Sequence, residues 1–281
     1  MQLKYGFKKE WLHFTRSFRF GGMLICIFSF ALVNPLLYKA LISLVEMMEQ
    51  SEMGDVLAEQ GASFSAVTAM ADHAGMIFCT TLLELCATSL LVITLLLMSP
   101  FGGEQKKRAT FIPFCCGLDY KNYLIPKFVL YPAVLFVGNF LGGCLGGIVC
   151  NSLYSTGAAD VGTILLGSLM CAIYAVFILT IYMALGICTG RPGIMVIVVY
   201  LGQTLIQLIL TYLGLTRFNP FALYGFIAEA TVLDAAYVQQ EIPSIIVSIA
   251  IAVVISGLMY GMTLAALKAK QVNNQENKPE F

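Results

Sequence analysis

The sequence predicts an all-α, polytopic membrane protein with six transmembrane helices. Three observations predict it. Hydrophobic residues make up 59% of the 281 residues and charged residues only 11%, against roughly 45–50% and about 25% in soluble proteins. A water-soluble domain of this length could not hide that much apolar surface, whereas lipid solvates it. The apolar residues also collect into six runs, near 21–44, 76–99, 126–150, 161–190, 193–213 and 243–267. Each reaches the roughly 20 residues that cross about 30 Å of hydrocarbon. Finally, the charges sort by side. Sixteen Lys and Arg balance sixteen Asp and Glu, but the zero net charge hides where they lie.

Before the first run, Leu3, Phe7, Trp11, Phe14 and Phe18 recur at spacings of three and four, which makes one apolar helical stripe. Lys8, Lys9, Arg16 and Arg19 lie off it. That pattern predicts an amphipathic helix over 1–20 lying in the membrane interface, rings in the acyl boundary and cations near anionic headgroups. Gly21-Gly22 is expected to supply the bend into the first span. The first run is span-length and has no clear small-residue cleavage site, so it reads as a retained span rather than a signal peptide. Pro35 removes one helical hydrogen bond within it.

Residues 45–75 come next as a long acidic segment with scattered Met, Leu and Phe. In the second run Glu84 lies about eight residues in, roughly 12 Å along the helix. Thr80, Thr81 and Thr88 share its face. A carboxylate facing lipid there would cost several kcal/mol (about 2.5–3.5 on insertion scales), so it should face protein or water, or be protonated. This leaves two readings: a substrate or proton contact, or an interhelical hydrogen bond.

Segment 100–127 is basic, carrying Lys106, Lys107, Arg108, Lys121 and Lys127, and it also holds apolar and aromatic residues that a plain linker would not need. It suits either a docking element for a soluble partner or an electrostatic anchor to the inner leaflet. The third run contains Gly138, Gly142, Gly143, Gly146 and Gly147. These form overlapping G-x-x-x-G pairs, which permit close helix approach inside the chain or at a dimer seam. Arg191-Pro192-Gly193 reads as a turn between the fourth and fifth runs. Residues 214–242 mix Phe218, Phe221, Tyr224 and Phe226 with small residues and suit short, half-buried or re-entrant helices. Residues 268–281 read as a tail, and the whole chain as a single transmembrane domain.

Orientation comes from the Lys and Arg count. Fourteen of the sixteen fall on one side, leaving only Lys39 and Arg217 for the other, while ten of the sixteen acids fall opposite. Both termini are therefore expected in the cytoplasm, and the acidic segments outside. An acidic outer face either attracts cationic cargo or is simply solvated.

This layout resembles the permease subunit of type-2 ABC exporters. The likeness rests on the basic amphipathic leader, six spans with both ends inside, and a large outer loop after the first span. It also rests on a Glu-plus-basic strip ending at Arg108-Ala109-Thr110. Glu104, Arg108, Thr110 and Lys127 match the family pattern best. Ala109 stands where Gly is usual and Gly117 where Pro is common, and Leu118-Asp119-Tyr120-Lys121 replaces a Ser-Arg turn. Asn219-Pro220-Phe221 is similar to the family's Ser-Pro-Phe. The resemblance implies a cytoplasmic coupling helix between spans two and three, with Glu104, Lys106, Lys107, Arg108, Thr110, Asp119, Tyr120, Lys121 and Lys127 as the residues that meet an ATPase. It further implies two permease copies, or a pair of related permeases, in the plasma membrane. Two cytoplasmic ATPase subunits would hold the ATP and Mg.

Several other classes find no support in the residues. No G-x-x-x-x-G-K-[ST] occurs, so this chain has no phosphate-cradling loop of its own. Neither G-x-S-x-G nor H-E-x-x-H is present, as a serine hydrolase or metalloprotease would want. The nine cysteines contain no C-x-x-C, and His13 and His73 stand alone, so a zinc site is not expected. Cys115-Cys116 reads as a cytosolic dithiol kept reduced by its compartment. So few cations also argue against nucleic acid as a partner. No catalytic, metal or cofactor residue is assigned. The alternative to a permease is a secondary transporter or channel built around Glu84. Such folds often show inverted repeats, and the leader and the 100–127 loop have no counterparts in the second half.

Overall fold

The computed structural model describes residues 2–49, 73–103, 119–215, 219–223, 226 and 235–276. Among these the chain is helical, and the one extended contact is an isolated bridge between His73 and Thr156. We number the helices α1 (Gln2–Arg16), α2 (Phe18–Glu49), α3 (Ala74–Leu96), α4 (Tyr120–Leu153), α5 (Val161–Thr189), α6 (Pro192–Tyr212) and α7 (Ala235–Glu276). Six stretches are long and apolar enough to cross a membrane: Phe18–Val45, Ala74–Leu96, Tyr120–Leu153, Val161–Thr189, Pro192–Tyr212 and Ile242–Ala269. This is a multi-pass membrane protein. We call the end of the bundle that carries α1 the basic end, and the opposite end the acidic end.

The bundle is built around α5. It is the most enclosed of the six spans, and it packs on α4, α6 and α7. Asp160 caps its start by accepting a hydrogen bond from the Gly162 amide (3.1 Å), and Gly190 ends it in the left-handed region at φ 68°, as helix C-termini favour. Pro192 then opens α6 at its first turn, where the missing amide costs nothing. The Arg-Pro-Gly turn is thus where the sequence puts it.

Helix α4 is the second organiser, and its glycines explain how. A Cβ on Gly138 or Gly142 would fall 2.9 and 2.6 Å from atoms of Ile27, and one on Gly146 would meet Thr81 and the Ala31 carbonyl. Gly143 and Gly147 instead face α5, where a Cβ would lie 2.6 Å from Ser168 Oγ and 2.7 Å from Ile164 Cγ2. One row (138, 142, 146) lets α2 approach and the other (143, 147) lets α5 approach. Both rows are occupied inside the chain, so neither is open as a seam between copies.

Several expected boundaries move. The break between leader and first span falls at Ser17, not at Gly21-Gly22, which lie inside α2. Gly22 is packed against the Phe18 ring, so it acts as a contact rather than a bend. The third span begins at Tyr120, six residues ahead of the expected run, and continues through Pro126 and Pro132. At the far end α7 runs on to Glu276, so most of the expected tail is helix. Pro35 does not stop α2. Its carbonyl accepts a hydrogen bond from Tyr154 Oη (2.8 Å), and Lys39 Nζ sits 5.1 Å from the centre of the same ring.

The segment after α6 returns into the bundle. Asn219, Phe221 and Leu223 are buried, and the Phe221 ring packs tilted against Phe177 with centroids 5.3 Å apart. Phe177 lies twelve residues, about 18 Å, from the end of α5 at Thr189. The half-buried element expected in 214–242 is therefore present at Pro220–Ala222. Phe218 and Tyr224 lie outside the described residues.

Candidate functional site

At the basic end, α1 lies against the start of α4. Its buried face is Gly6, Glu10 and Phe14, one turn apart each. Gly6 is required there, because a Cβ would come 2.5 Å from the Asn122 carbonyl. Only part of the expected apolar stripe faces outward: Leu3, Trp11 and Phe18 are exposed, Phe7 is half-buried, and Phe14 is fully buried. Phe18 belongs to α2 rather than to the leader. The outward side keeps the aromatic character that suits an interface, but the inward side carries an acid.

That acid meets a lysine. Glu10 is 2% exposed and Lys127 is 0% exposed. The Lys127 ammonium lies 3.7 Å from Glu10 Oε1 and donates a hydrogen bond to the Pro100 carbonyl at 2.8 Å. It also sits over the Tyr123 ring, 4.8 Å from the centroid. A buried ammonium is tolerated only with such compensation, and here a carboxylate, a carbonyl dipole and a ring face supply it. Glu10 Oε2 is buried without a hydrogen-bond partner. Glu10 and Lys9, whose ammonium is 4.0 Å from Glu10 Oε1, bring α1 into the same cluster.

An aromatic ladder extends the junction sideways. Phe14 of α1 meets Tyr131 of α4 (4.8 Å between centroids), Tyr131 meets Phe101 (5.0 Å), and Phe101 meets Tyr182 of α5 (5.9 Å). All three contacts are edge-on, the geometry ring quadrupoles favour. Phe101 lies in the π-type turn Ser99–Gly103 that comes after α3. Its neighbour Gly102 is wedged so closely that a Cβ would fall 2.7 Å from Pro192 Cδ and 2.8 Å from the Gly186 carbonyl. Both ends of the basic segment are thus held. The 99–103 end is fixed to α5 and α6, the 119–127 end to α1, and Lys127 joins the two through Pro100.

The second polar feature lies mid-span. Helix α3 takes one π-type turn at Leu85–Ser89, and Glu84 stands at its start. Thr88 Oγ1 donates to Glu84 Oε2. Thr80 and Thr81 hydroxyls both turn back to the Ile77 carbonyl at 2.8 Å. Thr81 is buried, Glu84 is half-buried and Thr88 is exposed. The wider turn explains the split, since an extra residue in one turn rotates the helix beyond it. The four residues do not make a single inward stripe. Glu84 and Thr88 form a pair at the surface of this chain, and Thr81 packs inside.

The chain matches no known protein family, characterised protein or solved structure.

Of the residues the sequence singled out for partner contact, Glu104, Lys106, Lys107, Arg108 and Thr110 lie outside the described residues. Asp119 and Lys121 are exposed and Tyr120 is half-buried at the start of α4. Lys127 is fully enclosed, so it holds the junction together and offers no surface to another chain. Glu10, Tyr123, Phe101 and Tyr131 are the residues sequence reasoning missed. One signal was available for Glu10: it is the only acid in the basic leader, spaced four residues from both Gly6 and Phe14. Among the described residues no three His, Cys, Asp or Glu come together as a metal site.

Proposed function

We propose that this chain is the transmembrane permease subunit of an ATP-driven exporter, with its basic end in the cytoplasm of a plasma-membrane assembly. The observation that carries the reading is the junction at Lys127. It ties the leader helix, the last turn after α3 and the first turns of α4 into one packed unit. A push that a soluble partner delivers at Ser99–Gly103 or at the start of α4 meets packed residues at both places. It passes directly to α1 and α4, and through Phe101 and Tyr182 to α5. Rigid transmission of this kind is what a subunit without its own nucleotide site requires. ATP and Mg belong to the partner ATPase. A second permease copy, or a related permease, completes the pathway, and the cargo is a peptide, a lipid-like molecule or a drug.

The test is a triple charge reversal, Lys106→Glu, Lys107→Glu and Arg108→Glu, in the assembled complex. Loss of ATPase co-purification, or of substrate-stimulated ATP hydrolysis, with retained expression and thermal stability is the expected result. Unchanged association and transport in the folded variant would overturn the assignment of this loop.

A second reading has its own observation. A hydrogen-bonded pair, Glu84 and Thr88, sits partly exposed at a π-type turn within a membrane-length helix. Intramembrane acids mark ion pathways by default, and π-type turns cluster at functional sites. A secondary transporter or channel would use it directly. Ion-gradient-driven flux through the chain alone in liposomes, abolished by Glu84→Gln, would favour this reading over the permease.

A further inference from the structure

A cavity of about 320 Å³ lies between α4, α5 and α7. On α7 its wall runs from Ile249 through Ala252 and Ser256 to Tyr260, eleven residues or about 16 Å along the axis. On α5 it runs from Ile173 to Thr180, and on α4 from Phe128 to Pro132. The shape is a trough along the helices, not a compact chamber. Val253, 66% exposed, borders it, so the trough opens laterally, on the side where the bilayer lies.

Its chemistry is more apolar than its residue names suggest. The Thr180 hydroxyl donates to the Val176 carbonyl (2.8 Å), and the Ser256 hydroxyl to the Ala252 carbonyl (2.8 Å). The Thr180 and Ser256 hydroxyls are thus spent on their own helices, which leaves the Tyr260 phenol as the polar group of the wall. The two ends differ. Toward the basic end stands Tyr260, whose phenol ring is edge-on to Phe128 at 5.4 Å. Deeper in, Phe177 lines the wall, and its ring is held by a tilted contact with Phe221 of the segment after α6. A trough that is polar at one end, apolar along its length and open sideways to lipid fits one extended hydrocarbon chain. Its polar end should lie where headgroups lie.

From this we infer that the α4–α5–α7 trough is a binding site for a single acyl chain of a bilayer phospholipid, entering from the leaflet at the basic end. The inference requires only that the spans are in a membrane. It stands or falls separately from the permease reading.

The test uses the full chain in nanodiscs containing a trace of phosphatidylethanolamine with a diazirine on one acyl chain, photolysed and mapped by mass spectrometry. Adducts should concentrate on Ile249, Val253 and Ser256, at least fivefold over the exposed face of α6 at Leu205 and Leu208. Ala252→Phe, which fills the trough, should reduce the trough adducts at least fivefold and leave those on α6 unchanged. Ser256→Leu, a milder filler, should give the same direction if Ala252→Phe proves unstable by thermal unfolding. Trough labelling no denser than on α6, or unmoved by either variant, would overturn the site. A parallel arm with a single-chain diazirine fatty acid separates the sources. Labelling by the fatty acid and not by the phospholipid would overturn the bilayer lipid as the occupant.

Discussion

At the scale of single residues, the chain's most consequential contact is Glu10 with Lys127, 117 positions apart in sequence and 3.7 Å apart in space. Removing one member strands the other in a dry site, which typically costs about 3–5 kcal/mol, whereas replacing both by uncharged groups of similar volume is often nearly neutral. Lys127→Met should therefore lower the thermal midpoint in detergent sharply, and Glu10→Gln less, because the Pro100 carbonyl and the Tyr123 ring still face the ammonium. The double variant should recover most of the loss. A double variant as unstable as Lys127→Met would show that the ammonium's contacts with Pro100 and Tyr123, not its pairing with Glu10, hold the junction. The pair was not legible in the sequence. A lone acid in a basic leader is visible, but its partner is not, since nothing in a one-dimensional string reports a contact across two spans. The same holds for Glu84. Its depth was readable from position, but the π-type turn that rotates Thr88 away from Thr81 was not.

Elements were read more faithfully than side chains, for a physical reason. Lipid demands unbroken apolar stretches of a set length, so six spans stand out from composition alone, and all six are found. Their ends are set by local chemistry that a hydropathy pattern ignores. Residues Tyr120–Ile125 are too polar to read as span, yet the helix starts there because Tyr123 and Leu124 are buried. The leader bend falls at Ser17 and not at Gly21-Gly22: Gly22 is packed on the Phe18 ring, and Gly21, with open space around it, simply continues the helix. The glycine rows of α4 were legible as close-packing signals, while their division between two neighbours was not. That division makes a prediction. Gly142→Leu should separate α2 from α4 and Gly143→Leu should separate α5 from α4. Each is overpacking that costs about 1–3 kcal/mol or more. Gly202→Leu, where a Cβ meets nothing within 4 Å, should leave the thermal midpoint within error. Equal tolerance at all three positions would contradict the close packing of α4 on both neighbours.

For the whole molecule, the open question is direction, and the charge distribution argues it. Six spans would return the chain to its starting side, and the segments and span ends on that side carry fourteen of the sixteen Lys and Arg. Cations flanking short loops resist translocation far more than acids do, so the ten acids opposite add little and the count of cations decides. The bias is also redundant. Lys4, Lys8, Lys9 and Arg16 precede the first span and Lys106, Lys107 and Arg108 lie between the second and third, with Arg19, Lys121 and Lys127 in the first turns of the spans that follow, so no single cluster holds the orientation alone. Alkaline phosphatase fused after Thr156, between α4 and α5, should be active and exported. The same reporter fused after Ala269, past the last span, should be inactive, and a green fluorescent protein there should fluoresce. Replacing Lys4, Lys8 and Lys9 with Gln should leave both readouts unchanged, because Lys106, Lys107 and Arg108 still oppose inversion. Inversion by that triple change would mean that the leader, not the summed charge, sets the topology. An active phosphatase after Ala269 in the wild-type chain would place the basic end outside, where no cytoplasmic ATPase could reach it.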